Sequence, residues 1–147
     1  VRIPPRRRAR ELALQGLYQW QLAGGTAAQV LKNLSELEGF ARADGEFLEA
    51  GLNGAIKEFE PLRAQLEPLA DRRWAGMSPV ERAILLLGAW ELNHCPDVPY
   101  RVSINEAIEL AKRYGGTDGH KYVNGVLDRL AAQVRPDEVA AKKRTPA

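Results

Sequence analysis

Five arginines fall within the first ten residues, "VRIPPRRRAR", and no acid precedes Glu11. Guanidinium groups grip phosphate through paired hydrogen bonds and stack on exposed bases. Pro4 and Pro5 lead into a helical pattern, so Arg6, Arg7, Arg8 and Arg10 stand where the helix dipole disfavours cations. On a helix the first three fan over about 200° and Arg10 returns near Arg6. Glu11 cannot pair with all of them. Either a polyanion offsets the dipole penalty, or the arm is solvated and frayed.

A second group falls near the C-terminus. Asp118, Lys121, Tyr122, Gly125 and Arg129 share one face of a helical pattern, apart from its apolar stripe. A partly exposed Tyr122 beside a cation would suit an unpaired base, a contact worth about 1–3 kcal/mol. The same spacing also fits a tyrosine at the edge of the core.

Other chemistries find little support. His94 and Cys95 are adjacent, His120 is the other histidine, and there is one cysteine, which is not a converging metal-ligand set. Gly24-Gly25 and Gly115-Gly116 lack the Lys-Ser/Thr of a phosphate loop and follow no strand pattern, so they are expected to end helices. No catalytic constellation stands out; the expectation is a non-enzyme that needs no cofactor and no metal.

The 147 residues suit one domain, and 45% hydrophobic with 27% charged residues is a globular composition. There is no run of about 20 apolar residues and no signal-peptide pattern. A cytoplasmic protein is expected, although the chain starts at Val1 rather than Met and its native start stays open. Net charge is +2, but residues 1–10 carry +5, residues 135–147 carry +2 and the body −5. A basic arm on an acidic body points to a local anionic target.

The elements that must position these residues all read as helices. Leu12 to Leu22 is broadly apolar, and Thr26 with Gln29 makes a capping box ahead of Val30, Leu31, Leu34 and Leu37. Phe47, Leu48, Gly51, Leu52, Ala55, Ile56 and Phe59 form a stripe, and Pro61 and Pro68 bracket a short piece. "SPVE" from Ser78 caps a helix through Asn93 that is apolar on nearly every side, hence central. "SINE" from Ser103 is expected to cap the next, with Ile104, Ala107, Ile108, Ala111 and Tyr114 inward and Glu109 paired with Arg113. The last helix begins at Thr117 or Asp118 and ends near Pro136. About seven helices in residues 1–136 are expected, followed by a disordered tail over 137–147.

Three stretches, "RRRARELALQGLYQWQL", "VPYRVSINEAIELAKRYG" and "HKYVNGVLDRLA", closely resemble the NusB family of bacterial transcription antitermination factors. The resemblance runs from about Arg6 to Arg135; residues 29–73 add little to it. It implies an all-α fold of two small helical bundles packed together and a non-catalytic activity. Its partners would be boxA RNA, the small-subunit ribosomal protein NusE and the RNA polymerase antitermination complex, acting notably on ribosomal RNA operons. No membrane partner is implied, and a homodimer stays open. Carried over by position, Arg6, Arg7, Arg8 and Arg10 would contact RNA, Lys121 and Tyr122 would form a basic-aromatic pair, and Asp118 would be an acid beside the RNA. Tyr18 and Glu81, with Leu22 and Arg82 as neighbours, would meet NusE. Read by spacing alone, Tyr18 also suits a core and Glu81 a helix cap. Two other functions are weighed: a protein-interaction bundle without specific RNA binding, and a fragment of a NusB-domain RNA cytosine methyltransferase, whose catalytic region would not fit in 147 residues.

Overall fold

In the computed structural model, residues 2–144 are described. They form eight α-helices: α1 (Pro5–Ala23), α2 (Ala27–Leu34), α3 (Gly45–Lys57), α4 (Phe59–Ala70), α5 (Pro79–His94), α6 (Tyr100–Tyr114), α7 (Gly119–Val134) and α8 (Pro136–Arg144). Short 3₁₀ turns lie at Phe40–Arg42 and Trp74–Gly76, and no strand occurs among the described residues. Val1, where the native start was left open, and residues 145–147 of the expected tail lie outside the described residues.

Local signals explain most of the helix starts. Thr26 Oγ1 accepts from the Gln29 N–H at 3.1 Å while Gln29 Oε1 accepts from the Thr26 N–H at 2.9 Å, closing the capping box of α2. Ser78 accepts from the Glu81 N–H at 3.1 Å and Pro79 occupies the first turn of α5. Asp44 does the same for α3, accepting from Phe47 N–H at 3.1 Å. Each cap satisfies a backbone donor that the helix itself leaves unpaired.

Helix α5 is the centre, with every residue from Ala83 to Leu92 buried. Helices α1, α2 and α3 pack on one another, α4, α6 and α7 gather around α5, and α1 and α3 also lean on α5. Two small bundles thus share one apolar core, in which Leu17, Leu48, Ile84, Leu86 and Leu127 are fully buried. In α3, Gly54 admits the Trp90 indole, whose Nε1 would lie 2.1 Å from an added Cβ. Among the described residues no helix is long and apolar enough to cross a membrane.

Five expectations need correction. Helix α6 starts at Tyr100, not after Ser103; the Ser103 hydroxyl is buried and donates to Glu91 Oε1 at 3.1 Å because that carboxylate needs donors more than the helix end does. Tyr114 is 47% exposed rather than inward, since the last turn of α6 runs past the core. Glu109 faces Lys112 at 3.8 Å, and Arg113 turns instead to Glu11 on α1. Pro61 and Pro68 both lie inside α4 rather than bounding a shorter piece. Residues 137–144, expected as unstructured tail, continue as α8. Glu138 anchors that helix, accepting from the Tyr100 N–H at 2.7 Å and from Arg135 at 3.0 Å.

Candidate nucleic-acid interface

The N-terminal arginines are not a frayed arm, because they occupy the first turns of α1. Carboxylates from other helices answer the dipole problem. Arg6 donates through Nε and Nη2 to Asp44 Oδ2, both at 3.3 Å. Its guanidinium lies 4.7 Å from the centre of the Phe47 ring. Arg7 grips Glu106 with two hydrogen bonds, Nε to Oε1 at 3.1 Å and Nη2 to Oε2 at 2.8 Å, while its own side chain stays half exposed. Arg8 is half-buried, with Nε lacking a partner, and borders one cleft with Tyr18 and Tyr114 and another with Arg2 and Arg42.

Arg10 departs from the expectation for an RNA contact. It is 4% exposed, and its Nε and Nη2 grip both oxygens of buried Glu91 at 2.9 and 2.8 Å. Its Nη1 lies 3.5 Å from Glu106. Burial alone would lower the Arg10 pKa, but the hydrogen bonds and charge of Glu91, with the charge of Glu106, outweigh it and the pKa is raised. Arg10 therefore ties α1 to the core, while Arg6, Arg7 and Arg8 remain nearer solvent. An acid within the apolar run Ala83 to Leu92 of α5 is the sequence signal for this: a buried carboxylate requires a cation. Glu106, hidden in the "SINE" stretch, carried no such signal.

At the other end, Asp118 precedes α7 with φ +64° and stands 3.4 Å from exposed Lys121. Tyr122 is half-buried. Its hydroxyl donates to the Ala70 carbonyl at 2.9 Å, and the Arg72 guanidinium covers its ring 4.2 Å from the centre. Burial raises the hydroxyl's pKa, against the opposing charge of the Arg72 guanidinium. Arg129 donates to the Leu69 carbonyl through Nε at 3.2 Å and Nη2 at 2.7 Å. Tyr122 and Arg129 thus close the C-terminal end of α4, where carbonyls lack helical partners. Arg72, which caps this aromatic, was missed in the sequence.

The residues assigned to a protein contact lie along the C-terminal part of α1 and the start of α5. Tyr18 is 38% and Leu22 62% exposed, one helical turn apart. Gln21 donates to the Pro79 carbonyl at 2.9 Å, bringing the two helices together. Glu81 takes part in the Ser78 cap and lies 3.9 Å from Arg72. Half-buried Arg82 donates to the Trp74 carbonyl at 3.4 Å and leaves its Nε without a partner. Tyr18 borders one cleft with Val80, and Arg82 another with Trp20 and Trp74.

Among the described residues no three His, Cys, Asp or Glu side chains converge on a metal position. Burial first, then nearby acids, pushes the Cys95 thiol up to about 11, opposite to the lowered pKa of a nucleophilic thiolate. The described residues thus form an all-helical body with arginines at the start of α1 and exposed Tyr18 and Leu22 further along the same helix.

The comparisons make this specific. The NusB family profile matches residues 7–132. Transcription antitermination protein NusB of Ralstonia nicotianae is 58% identical over 138 residues, covering 94% of this chain and 89% of that protein. Its counterpart in Cupriavidus pinatubonensis is 55% identical over 146 residues, 97% of this chain and 87% of that protein. The solved structure of T. maritima NusB superposes with a TM-score of 0.80 at 28% identity, covering 92% of this chain and 97% of that one. The chain belongs to the NusB family of transcription antitermination proteins.

Proposed function

We propose that this protein binds boxA RNA together with the ribosomal protein NusE and, within an RNA polymerase antitermination complex, keeps transcription processive, notably on ribosomal RNA operons. It acts in the cytoplasm as a non-catalytic adaptor. The observation that carries this is the outward placement of Arg6, Arg7 and Arg8 on the first turns of α1, in a chain of this family. Arg6 and Arg7, half-exposed and held by Asp44 and Glu106, present phosphate donors with little orientational entropy left to lose, and half-buried Arg8 beside them has an Nε without a partner.

Within this proposal Arg6, Arg7 and Arg8 contact the RNA, and Arg10 acts from below by fixing the helix that bears them. Lys121 supplies a further cation and Asp118 a repulsive neighbour, while Tyr122 offers only the ring surface that Arg72 leaves open. Tyr18 and Leu22 form the apolar centre of the NusE contact, with Glu81 and Arg82 at its polar margin.

The test is fluorescence anisotropy of labelled boxA RNA and a scrambled control, with this protein alone and with NusE. The proposal expects tighter, boxA-selective binding when NusE is present. Equal weak binding to both RNAs, unchanged by NusE, would leave a protein-interaction bundle whose basic residues serve the fold.

A further inference from the structure

The loop between α4 and α5 brings one side chain onto two residues assigned to different partners. Asp71 ends α4 with φ +57°, and Arg72 follows that turn. The Arg72 guanidinium covers the Tyr122 ring, 4.2 Å from its centre, and Nη1 lies 3.9 Å from Glu81 Oε2. The other Glu81 oxygen accepts from the Ser78 hydroxyl at 3.3 Å. Neither Arg72 contact is a hydrogen bond, and its side chain is 49% exposed. A surface cation over a ring and a long surface ion pair each bias an equilibrium only a few-fold.

What lies beneath Arg72 is fixed. The Tyr122 hydroxyl donates to the Ala70 carbonyl at 2.9 Å, and Arg129 donates to the Leu69 carbonyl at 2.7 Å. The ring and the end of α4 therefore hold their places while the Arg72 side chain turns about its own torsions. The Glu81 side chain is only 14% exposed. A partner cation that pairs with Glu81 Oε2 takes the position of Arg72 Nη1. Arg72 is then held by the ring alone, and a base competing for that face displaces it more readily.

We propose that Arg72 is a latch between the two binding surfaces, lying over the Tyr122 ring while it faces Glu81 and leaving the ring once a cation of the protein partner takes Glu81. This rests on the RNA- and NusE-binding function proposed above. Arg72 is a positioning residue, because it sets whether the aromatic face is open to a base. The coupling is reciprocal: a base that displaces Arg72 also uncovers Glu81, so RNA strengthens NusE binding by the same factor.

The experiment labels the full chain with meta-fluorotyrosine and follows the Tyr122 fluorine resonance, assigned by its loss in Tyr122→Phe, at neutral pH without RNA. Adding NusE, Glu81→Gln and Arg72→Ala should each move this resonance in the same direction. Glutamine keeps an acceptor for Ser78, so the start of α5 persists while the charge facing Arg72 is lost. In an Arg72→Ala background, neither NusE nor Glu81→Gln should move the resonance further. In anisotropy with saturating NusE, the gain in boxA affinity that NusE brings should shrink about two- to tenfold in Arg72→Ala. In a Tyr122→Ala background, Arg72→Ala should leave that gain unchanged. A resonance that NusE leaves unmoved, in a protein whose RNA binding NusE still strengthens, overturns the latch and leaves the RNA function standing. A resonance that NusE moves equally in Arg72→Ala overturns it as well, since the change then bypasses Arg72. A protein that binds no RNA with NusE present overturns the function and the latch together.

Discussion

A guanidinium's role here depends on which carboxylate it meets. Arg7 and Arg10 are three positions apart on α1 and both approach Glu106, yet Arg7 is half exposed while Arg10 is buried against Glu91. Arg10→Ala should therefore behave as a core defect. It leaves the Glu91 carboxylate with the Ser103 hydroxyl and no close cation, and breaking a buried pair from one side costs about 3–5 kcal/mol. Urea denaturation should show the lost stability, and an Arg10→Met/Glu91→Leu double variant should recover part of it, since no uncompensated charge then remains. Asp118 is the opposite case, exposed and outside any core. At φ +64° asparagine is as well suited as aspartate, so Asp118→Asn removes a charge without straining the turn. It should tighten RNA binding about two- to fivefold at low salt, the scale of an exposed charge, with the gain fading as salt rises. Cys95 gives a residue-level pH test. With its thiol at about 11, alkylation of the folded protein at pH 9 should run about 50-fold slower than that of an ordinary thiol, from the thiolate fraction alone. Because the folded pKa is raised, the protonated thiol's contribution to stability is fully present below the unfolded value near 9.0 and is lost as pH climbs from there toward 11. Equal alkylation rates in folded and urea-unfolded protein would contradict the burial.

Helices, more than their neighbours in space, were written into the sequence. The caps at Thr26 and Ser78 are local, made by residues three apart, and both formed as the spacing predicts. "SINE" has the same local form and is not a cap, because a buried carboxylate elsewhere takes the serine hydroxyl. The true cap of α6 comes from Glu138, 38 residues on, and no pattern within one helix could have revealed it. The same holds for the candidate site: the arginines were legible as a cluster, but their partition into buried and exposed depends on Asp44, Glu91 and Glu106, which only the fold brings near. For Tyr122 the spacing left a partly exposed stacking ring and a tyrosine at the core edge equally open, and the loop residue Arg72 over its ring carried no signal at all. Glu138→Ala tests the long-range cap. It removes the acceptor for the Tyr100 N–H and one partner of buried Arg135, and should cost about 1–2 kcal/mol in urea denaturation. Arg135 retains the carbonyls of Glu91, Leu92, Cys95 and Val98, so the fold should survive.

Across the whole molecule, a net charge of only +2 conceals a positive edge on an acidic body. Much of that edge is paired, and pairing with an acid beneath differs from neutralisation at a distance, because phosphate still meets the guanidinium first. Removing Arg7 and Arg8 together should therefore flatten the salt dependence of RNA binding by up to about 1.4, at about 0.7 for each phosphate contact on a single strand. The Arg7 change also strips a bidentate partner from Glu106, and the carboxylate left behind would repel RNA by itself. Adding Glu106→Gln separates the two effects. Affinity should partly return as the repulsion is relieved, while the slope stays flat because the phosphate contacts remain lost. A slope that returns with the affinity would mean that Glu106 repulsion, not Arg7 contact, had governed binding. A slope unmoved in every variant would mean that the start of α1 does not touch the RNA backbone.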